Sequence, residues 1–157
     1  MKIRVGFGFD VHQLVAGRDL WLGGIRLEHE KGLLGHSDAD VLLHAITDAL
    51  LGAAGLGDIG TLFPDTDPAY KGADSRLLLT QAMQRVSSAG WQVGNIDCTI
   101  IAQRPRLASY KPAMAASIAA CLSIAPSQVN VKAKTAERMG PVGEERSMEA
   151  RAVVLLV

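Results

Sequence analysis

The chain has 157 residues, of which 48% are hydrophobic and 20% charged, a length and composition typical of one globular domain with a core of its own. Its 16 basic and 16 acidic residues cancel, so the net charge favours neither a nucleic acid nor an anionic membrane as partner. The amino terminus lacks an apolar leader pattern and no run of about 18 apolar residues occurs, so we expect neither export nor membrane insertion.

Strand and helix patterns alternate along most of the chain, which predicts an α/β or α+β domain with one sheet covered by helices. In chain order we predict a strand at Ile3–Phe9, a hairpin of Leu20–Leu22 and Ile25–Leu27 around Gly23 and Gly24, a helix that starts after Ser37 and has apolar positions from Val41 to Ala53, a helix at Ser75–Ala89, a strand at Gln92–Ala102, a helix at Lys111–Leu122, and strands at Val129–Lys134 and Glu149–Val157.

Two boundary features concern the first helix and the segment after it. Ser37 is the candidate N-cap, with Asp38 and Asp40 in the first turn, where carboxylates are favourable to the helix dipole. The segment Leu56–Gly72 shows no periodicity, and a loop of that length in a compact domain usually has a function. The polar, glycine-containing segment before Ser37 is predicted to be a loop.

Cys98 and Cys121 lie in apolar surroundings and lack the spacing of a redox or metal motif. We expect them to be buried free thiols, which fits a reducing cytoplasm, with a disulfide between them as the alternative.

Asp10, His12 and His44 supply one carboxylate and two imidazoles, a ligand set that catalytic Zn²⁺ uses while one coordination position stays open. The i, i+2 spacing of Asp10 and His12 puts both side chains on one face of an extended segment. Alone, this short pattern is more often a solvated turn at a strand end than a metal site.

The first helix adds two carboxylates to this pattern. Asp40, His44 and Asp48 follow each other at i, i+4 spacing, so both carboxylates flank the imidazole on one stripe. A carboxylate that accepts the second ring N–H of a metal-binding histidine fixes its orientation, and we predict this role for Asp40 and Asp48. The alternative is an acidic first turn beside a surface histidine.

Several long motifs, in the right order, resemble the 2-C-methyl-D-erythritol 2,4-cyclodiphosphate synthase family of the non-mevalonate isoprenoid pathway. They are Gly8–His12, Ser37–Asp40 with His44 and Asp48, Gly57–Gly60, Phe63–Asp67 and Lys134–Glu137. The resemblance implies a single synthase domain over residues 1–157 with a mixed sheet, and a homotrimer with a central cavity and active sites between subunits. It also implies Zn²⁺ at Asp10, His12 and His44, and Mg²⁺ or Mn²⁺ near Glu137.

The implied reaction is intramolecular phosphoryl transfer within 4-diphosphocytidyl-2-C-methyl-D-erythritol 2-phosphate. The 2-phosphate oxygen attacks the β-phosphorus, and cytidine monophosphate leaves. A phosphate monoester has a second pKa of about 6, so the nucleophile is already ionised near neutral pH. The protein therefore has to position two anionic groups and neutralise their charge.

By the same resemblance, His36 and Thr135 are the catalytic residues, which stabilise the transition state through hydrogen bonds to the phosphates, and Ser37 binds the 2-phosphate. The remaining substrate-binding residues it implies are Asp58, Ile59 and Gly60 at the erythritol, Phe63, Pro64, Asp65, Thr66 and Asp67 in a mobile flap, Ala102, Gln103, Arg106, Leu107 and Ala108 at the cytidine, and Lys134. Locally, Phe63–Asp67 is also typical of a simple turn.

The segment after Glu137 departs from many bacterial members of the family. Glu144 and Arg146 stand in exchanged order, and this region lines the central cavity of the implied trimer. Because Glu144 would repel a phosphate there, we expect weak or no binding of isoprenoid diphosphates.

Two other classes of protein fit part of the pattern. A metal-dependent phosphohydrolase could use the same Asp/His/His site to activate water. A non-catalytic scaffold could keep the metal for structure, although structural zinc sites favour four protein ligands that usually include cysteine.

Overall fold

A five-stranded mixed sheet organises the structure, a computed structural model that describes residues 2–157. The strands are β1 (Arg4–Ala16), β2 (Leu20–Leu22), β3 (Ile25–Leu27), β4 (Lys31–Leu34), β5 (Val93–Ile101), β6 (Val129–Lys134) and β7 (Ser147–Leu156). The sheet has the order β4-β1-β7-β5-β6, with β5 and β6 parallel and the other pairs antiparallel. The predicted hairpin of β2 and β3 forms a separate two-stranded ribbon.

Helices cover one face of this sheet, as the sequence predicts. They are α1 (Val41–Ala54), α2 (Ile59–Leu62), α3 (Ser75–Ser88), α4 (Lys111–Leu122) and α5 (Gly140–Gly143), with turns of 3-10 helix at Pro68–Tyr70, Ala108–Tyr110 and Pro126–Gln128.

Among the described residues, no helix is long and apolar enough to cross a membrane. Cys98 is a buried free thiol and Cys121 a partly buried one.

Helix α1 lies directly on β1 because two glycines leave room for it. A Cβ atom added at Gly8 would overlap the Ala45 carbonyl oxygen, and one added at Gly6 would overlap that of Ala49. Glycine therefore permits a close approach of helix and strand backbones that any larger residue would prevent.

Strand β1 alternates strictly between two environments. Its even-numbered residues from Gly6 to Leu14 face the helix layer and are buried or half-buried. Its odd-numbered residues face away, and four large apolar side chains among them are 43–65% exposed: Val5, Phe7, Phe9 and Val11. The outward face of β1 thus stays apolar and uncovered by the described residues of a single chain, although Arg151 of β7 lies beside Phe9 on the same side of the sheet.

Several predicted boundaries were wrong. Strand β1 does not end at Phe9 but runs to Ala16, because residues beyond Asp10 still pair with β7 and then with β4. Strand β4 lies where a loop was predicted, and β7 begins at Ser147 rather than at Glu149. Helix α1 is capped by Asp40 and not by Ser37, since the Asp40 carboxylate accepts a hydrogen bond from the Leu43 amide.

Candidate active site

Strand β1 and helix α1 bring Asp10, His12 and His44 together, as the sequence predicts. Asp10 Oδ2 lies 3.0 Å from His12 Nε2 and 3.0 Å from His44 Nδ1, and these two nitrogens are 3.2 Å apart. Ligands about 2.0–2.1 Å from a tetrahedral Zn²⁺ would lie about 3.3–3.4 Å from each other. The three donor atoms therefore fit one divalent ion.

The opposite nitrogen of each imidazole has a partner of its own. His12 Nδ1 lies 2.9 Å from the Leu34 carbonyl oxygen of β4, which can only accept a hydrogen bond. His44 Nε2 lies 2.9 Å from Ser75 Oγ and 3.2 Å from Ser37 Oγ. The contact to Leu34 places a proton on His12 Nδ1 and leaves Nε2 as the ligating atom.

The carboxylate of Asp10 is ionised over the whole physiological range. Burial by itself raises the pKa of this group, but in the metal-free chain the hydrogen bonds and charge attraction of protonated His12 and His44 outweigh burial and lower the pKa to about 2. Asp10 therefore offers one full negative charge to a bound cation.

Neither Asp40 nor Asp48 holds His44, so this prediction was wrong. Asp40 is fully buried and accepts hydrogen bonds from the amides of Gly23, Gly24 and Leu43. Asp48 accepts one from the Ile59 amide at 2.8 Å. The i, i+4 spacing indicates a shared helix face, but backbone amides from other elements compete for both carboxylates, and Asp40 precedes the helix rather than lying on it.

A cavity of about 450 Å³ lies beside the three metal-ligand candidates. Most residues predicted for the phosphate and erythritol end line it: His36, Ser37, Ile59, Gly60, Phe63, Pro64 and Asp65. Tyr70 also lines it and packs edge to face against Phe63, with ring centroids 5.3 Å apart. This cavity is therefore large enough for a small phosphorylated polyol.

Three residues predicted for the same end lie around the cavity rather than in its lining. Asp58 caps α2 and accepts hydrogen bonds from the amide and hydroxyl of Thr61. The Asp67 carbonyl lies 3.0 Å from His36 Nε2, which ties the Phe63–Asp67 segment to the candidate catalytic histidine. Thr66 is exposed and is not part of the lining.

A second cavity, of about 220 Å³, lies at the carboxyl ends of the parallel strands β5 and β6. All the residues predicted for the cytidine end line it, together with Lys134 and Thr135: Ala102, Gln103, Arg106, Leu107 and Ala108. Three cations, Arg106, Lys111 and Lys134, belong to the lining, and no carboxylate does among the described residues. The cavity is therefore suited to an anionic ligand.

Glu137 and Thr135 neighbour each other but lie apart from the first cavity. Thr135 Oγ1 is 3.4 Å from Glu137 Oε1, and neither residue lines the cavity that holds His36. Glu137 and Arg138 both have left-handed backbone conformations, with φ of 52° and 62°. Within one described chain, the two candidate catalytic residues His36 and Thr135 thus line different cavities.

Three participants were missed by sequence reasoning: the Leu34 carbonyl, Ser75 and Lys111. A backbone carbonyl carries no residue signal, and Ser75 lies 31 positions from His44. Lys111 is the first residue of α4 and follows the cytidine-end residues closely in sequence, which is the signal that could have identified it.

Glu144 and Arg146, the two residues in exchanged order, bind each other. Arg146 Nε donates a hydrogen bond to Glu144 Oε2 at 2.7 Å.

Comparison with known proteins identifies relatives of the whole chain. It is 62% identical over 156 residues to 2-C-methyl-D-erythritol 2,4-cyclodiphosphate synthase of Ralstonia pickettii, covering 99% of this chain and 93% of that one. It is 64% identical to the bifunctional enzyme IspD/IspF of Albidiferax ferrireducens over 99% of its own length, but it spans 37% of that relative.

Solved structures agree with this relationship. A 2C-methyl-D-erythritol-2,4-cyclodiphosphate synthase in a form bound to CDP superposes with a TM-score of 0.90 at 39% identity, over 98% of this chain and 100% of that one. The family resemblance predicted from the motifs is thereby confirmed. The model of the YgbB family matches residues 3–157, and the chain therefore belongs to the YgbB family.

Proposed function

We propose that this chain converts 4-diphosphocytidyl-2-C-methyl-D-erythritol 2-phosphate to 2-C-methyl-D-erythritol 2,4-cyclodiphosphate and releases cytidine monophosphate. The observation that carries the proposal is the convergence of Asp10, His12 and His44 beside a cavity that His36 and Ser37 also line. The names of the relatives at about 60% identity support the same reaction.

In this reaction an oxygen of the 2-phosphate forms a bond to the β-phosphorus, and the bond from that phosphorus to the oxygen shared with the α-phosphate breaks. The electron pair of the broken bond stays with cytidine monophosphate. Because the nucleophile belongs to the substrate, the protein mainly folds the substrate so that both phosphates meet, and such positioning can contribute about 7–11 kcal/mol.

The chain's own residues divide this task between the two cavities. In the first, Asp10, His12 and His44 would hold Zn²⁺, while His36 and Ser37 donate hydrogen bonds to the 2-phosphate and the transferred phosphoryl group. When bound, the ion would supply charge neutralisation and polarise a phosphate oxygen. Asp58, Ile59 and Gly60 would bind the erythritol hydroxyls, and the Phe63–Asp67 flap would exclude water.

The second cavity would bind the nucleotide end. Backbone groups of Ala102–Ala108 would hold cytosine, while Arg106, Lys111 and Lys134 attract the phosphates. Thr135 would donate a hydrogen bond to the phosphate chain. Glu137 would hold Mg²⁺ or Mn²⁺, whose remaining ligands would be phosphate oxygens and water.

We further propose a homotrimer in which the first cavity of one subunit faces the second cavity of its neighbour. Two observations support this arrangement. The two cavities share no lining residue within one chain, although one substrate must contact both sets of groups. The uncovered face of β1 also presents Val5, Phe7, Phe9 and Val11, an apolar surface suited to burial at the trimer centre.

We also propose that the protein works in the reducing cytoplasm. The free thiols of Cys98 and Cys121 support this location.

Phosphorus NMR tests the reaction directly. Purified protein with the substrate, Zn²⁺ and Mg²⁺ should give the coupled resonances of a cyclic diphosphate together with cytidine monophosphate. His44→Ala should abolish both products, because it removes one of three metal ligands, whereas His29→Gln removes a histidine that lines neither cavity and should not.

Release of inorganic phosphate without a cyclic product would contradict the proposal and favour a phosphohydrolase. Full activity of His44→Ala would contradict the assigned metal site.

A further inference from the structure

Behind His44 lies a chain of hydrogen bonds that leads to a carboxylate other than Asp40 and Asp48. His44 Nε2 is 2.9 Å from Ser75 Oγ, and the Ser75 hydroxyl in turn donates to Asp38 Oδ1. The other Asp38 oxygen accepts from the Ser75 amide at 3.0 Å. Asp38 thus binds Ser75 through both of its oxygens.

The direction of this chain follows from the chemistry of its groups. A hydroxyl can donate or accept, but a carboxylate only accepts, so the single proton of Ser75 Oγ is donated to Asp38. The lone pairs of Ser75 Oγ then face His44, and the His44 nitrogen beside them has to carry a proton. We propose that Ser75 and Asp38 are positioning residues that keep the proton of neutral His44 on Nε2 and so leave Nδ1 free to ligate the metal.

Two competing contacts explain why such a device is needed. Asp10 Oδ2 lies 3.0 Å from His44 Nδ1 and, because a carboxylate only accepts, it attracts the imidazole proton to that nitrogen. Ser37 Oγ also lies near His44 Nε2, at 3.2 Å, and it accepts a hydrogen bond from the Ala39 amide. The described residues give the Ser37 hydroxyl proton no carboxylate partner. Ser37 alone could therefore donate to Nε2, which would place the imidazole proton on Nδ1, facing Asp10, where it would block metal binding.

The fold places both residues for this role. Ala39 adopts a left-handed conformation with φ of 59°, and this turn separates Asp38, which faces α3, from Asp40, which faces α1 and the hairpin. Ser75 is the first residue of α3 and is 1% exposed, so water does not compete for its hydroxyl. The Asp38 amide donates to the Ala73 carbonyl at 3.0 Å, which fixes the distance between the two segments.

The inference rests on the proposed metal site, and the experiment separates the two. Zinc affinity is measured by competition with a chromophoric chelator for the unchanged protein, Ser75→Ala and Asp38→Asn. Asp74→Asn serves as a matched control, since Asp74 neighbours Ser75 but binds Arg76. Loss of a partner that orients a metal-binding histidine typically weakens affinity about 10- to 100-fold, and we expect this in both test variants and not in the control.

A second readout reports the tautomer itself. Long-range proton–nitrogen NMR correlations of the metal-free protein identify which nitrogen of neutral His44 carries the proton. We expect Nε2 in the unchanged protein and in the control. In Asp38→Asn the new amide group can donate to Ser75 Oγ, which releases the hydroxyl proton toward His44 and should shift the population toward the Nδ1 tautomer.

The outcomes are distinct. Unchanged zinc affinity in both folded variants would overturn the inference alone, and so would a weaker affinity without a change of tautomer, because that indicates only a packing role. If the unchanged protein binds no zinc, the metal site and the inference fail together. Should Ser75→Ala fail to fold, Asp38→Asn still decides, because it preserves size and leaves Ser75 in place.

Discussion

Asp40 connects two separate parts of the molecule through one buried side chain. Its carboxylate accepts hydrogen bonds from the Gly23 and Gly24 amides of the hairpin at 2.9 and 2.7 Å, and from the Leu43 amide of α1 at 3.0 Å. Asp40→Ala would remove the helix cap and leave buried amides without a partner. We expect the free energy of unfolding to fall by about 3 kcal/mol, measured by urea denaturation.

Asp19→Ala is the control, because Asp19 pairs with Arg26 on the exposed surface and should matter little. Zinc should still bind to the folded fraction of Asp40→Ala. A variant of normal stability that fails to bind zinc would show that Asp40 acts on the metal site after all.

The Cys98 thiol should react slowly in the folded protein. Burial raises the pKa of the Cys98 thiol to about 12, so the thiolate, which is the reactive form, is scarce near neutral pH. In Cys121→Ser, where Cys98 is the only remaining thiol, we expect iodoacetamide at about pH 8 to modify the folded protein at least about 100-fold more slowly than the urea-unfolded protein. Mass spectrometry of timed samples measures both rates, and similar rates would show that Cys98 is accessible.

For individual residues, the sequence predicts which side chains can bind a metal better than it predicts which groups form hydrogen bonds to them. Asp10, His12 and His44 do lie close enough to bind one metal ion, and the sequence could indicate them because metal sites use few residue types as ligands. Asp38 and Ser75 were missed because the contact between Ser75 and His44 depends on how α3 approaches α1, which neither local spacing nor residue type reveals. Asp40 was assigned to the wrong partner for the same reason, since the hairpin amides that bind it lie 16 and 17 positions away.

The close contact between strand β1 and helix α1 depends on glycine, so a substitution of that glycine tests how the two elements pack. In Gly8→Ala the new methyl group would overlap the Ala45 carbonyl oxygen, a backbone atom that cannot move without shifting the helix. We expect a loss of about 3 kcal/mol or more in unfolding free energy, together with weaker zinc binding, because Asp10 and His44 lie on the two displaced elements.

Gly52→Ala is the matched control for this substitution. Gly52 belongs to the same helix, but an added Cβ would meet no atom within 4 Å. Because alanine is the better helix former, this variant should be more stable by up to about 1 kcal/mol. Equal stability of the two variants would mean that the helix shifts freely on the strand.

Element boundaries were predictable where local signals were strong. Helix α4 and strand β6 have the predicted limits, with Pro112 at the start of the helix and uniform alternation in the strand. Strand β4 was missed because it has only four residues and contains Gly32, whose bare Cα allows the Asp19 carbonyl to approach. Long-range pairing with β1 overrides the weak local preference of such a segment.

At the scale of the whole molecule, the uncovered face of β1 predicts assembly. Phe7 is 63% exposed in one chain, so a change there should cost the isolated subunit little. In Phe7→Glu a charge would have to be buried at the proposed trimer centre, which is costly without a partner. We expect sedimentation velocity to show a trimer for the unchanged protein and a folded monomer for the variant, with loss of cyclase activity.

Leu77→Glu is the matched control, because Leu77 is similarly exposed, at 61%, but lies on α3 in the helix layer. It should remain trimeric and active. A monomeric but fully active Phe7→Glu variant would contradict a site shared between subunits.

The strict alternation of β1 has a consequence for the kinds of mutation that the gene can tolerate. Moving the strand by one position would turn Asp10 and His12 outward and turn Phe7 and Phe9 inward, so a single inserted or deleted codon would disrupt the candidate metal site and the proposed trimer surface at once. Divergence in this segment should therefore proceed by substitution alone. Changes of length should accumulate instead at the turns that connect it to its neighbours.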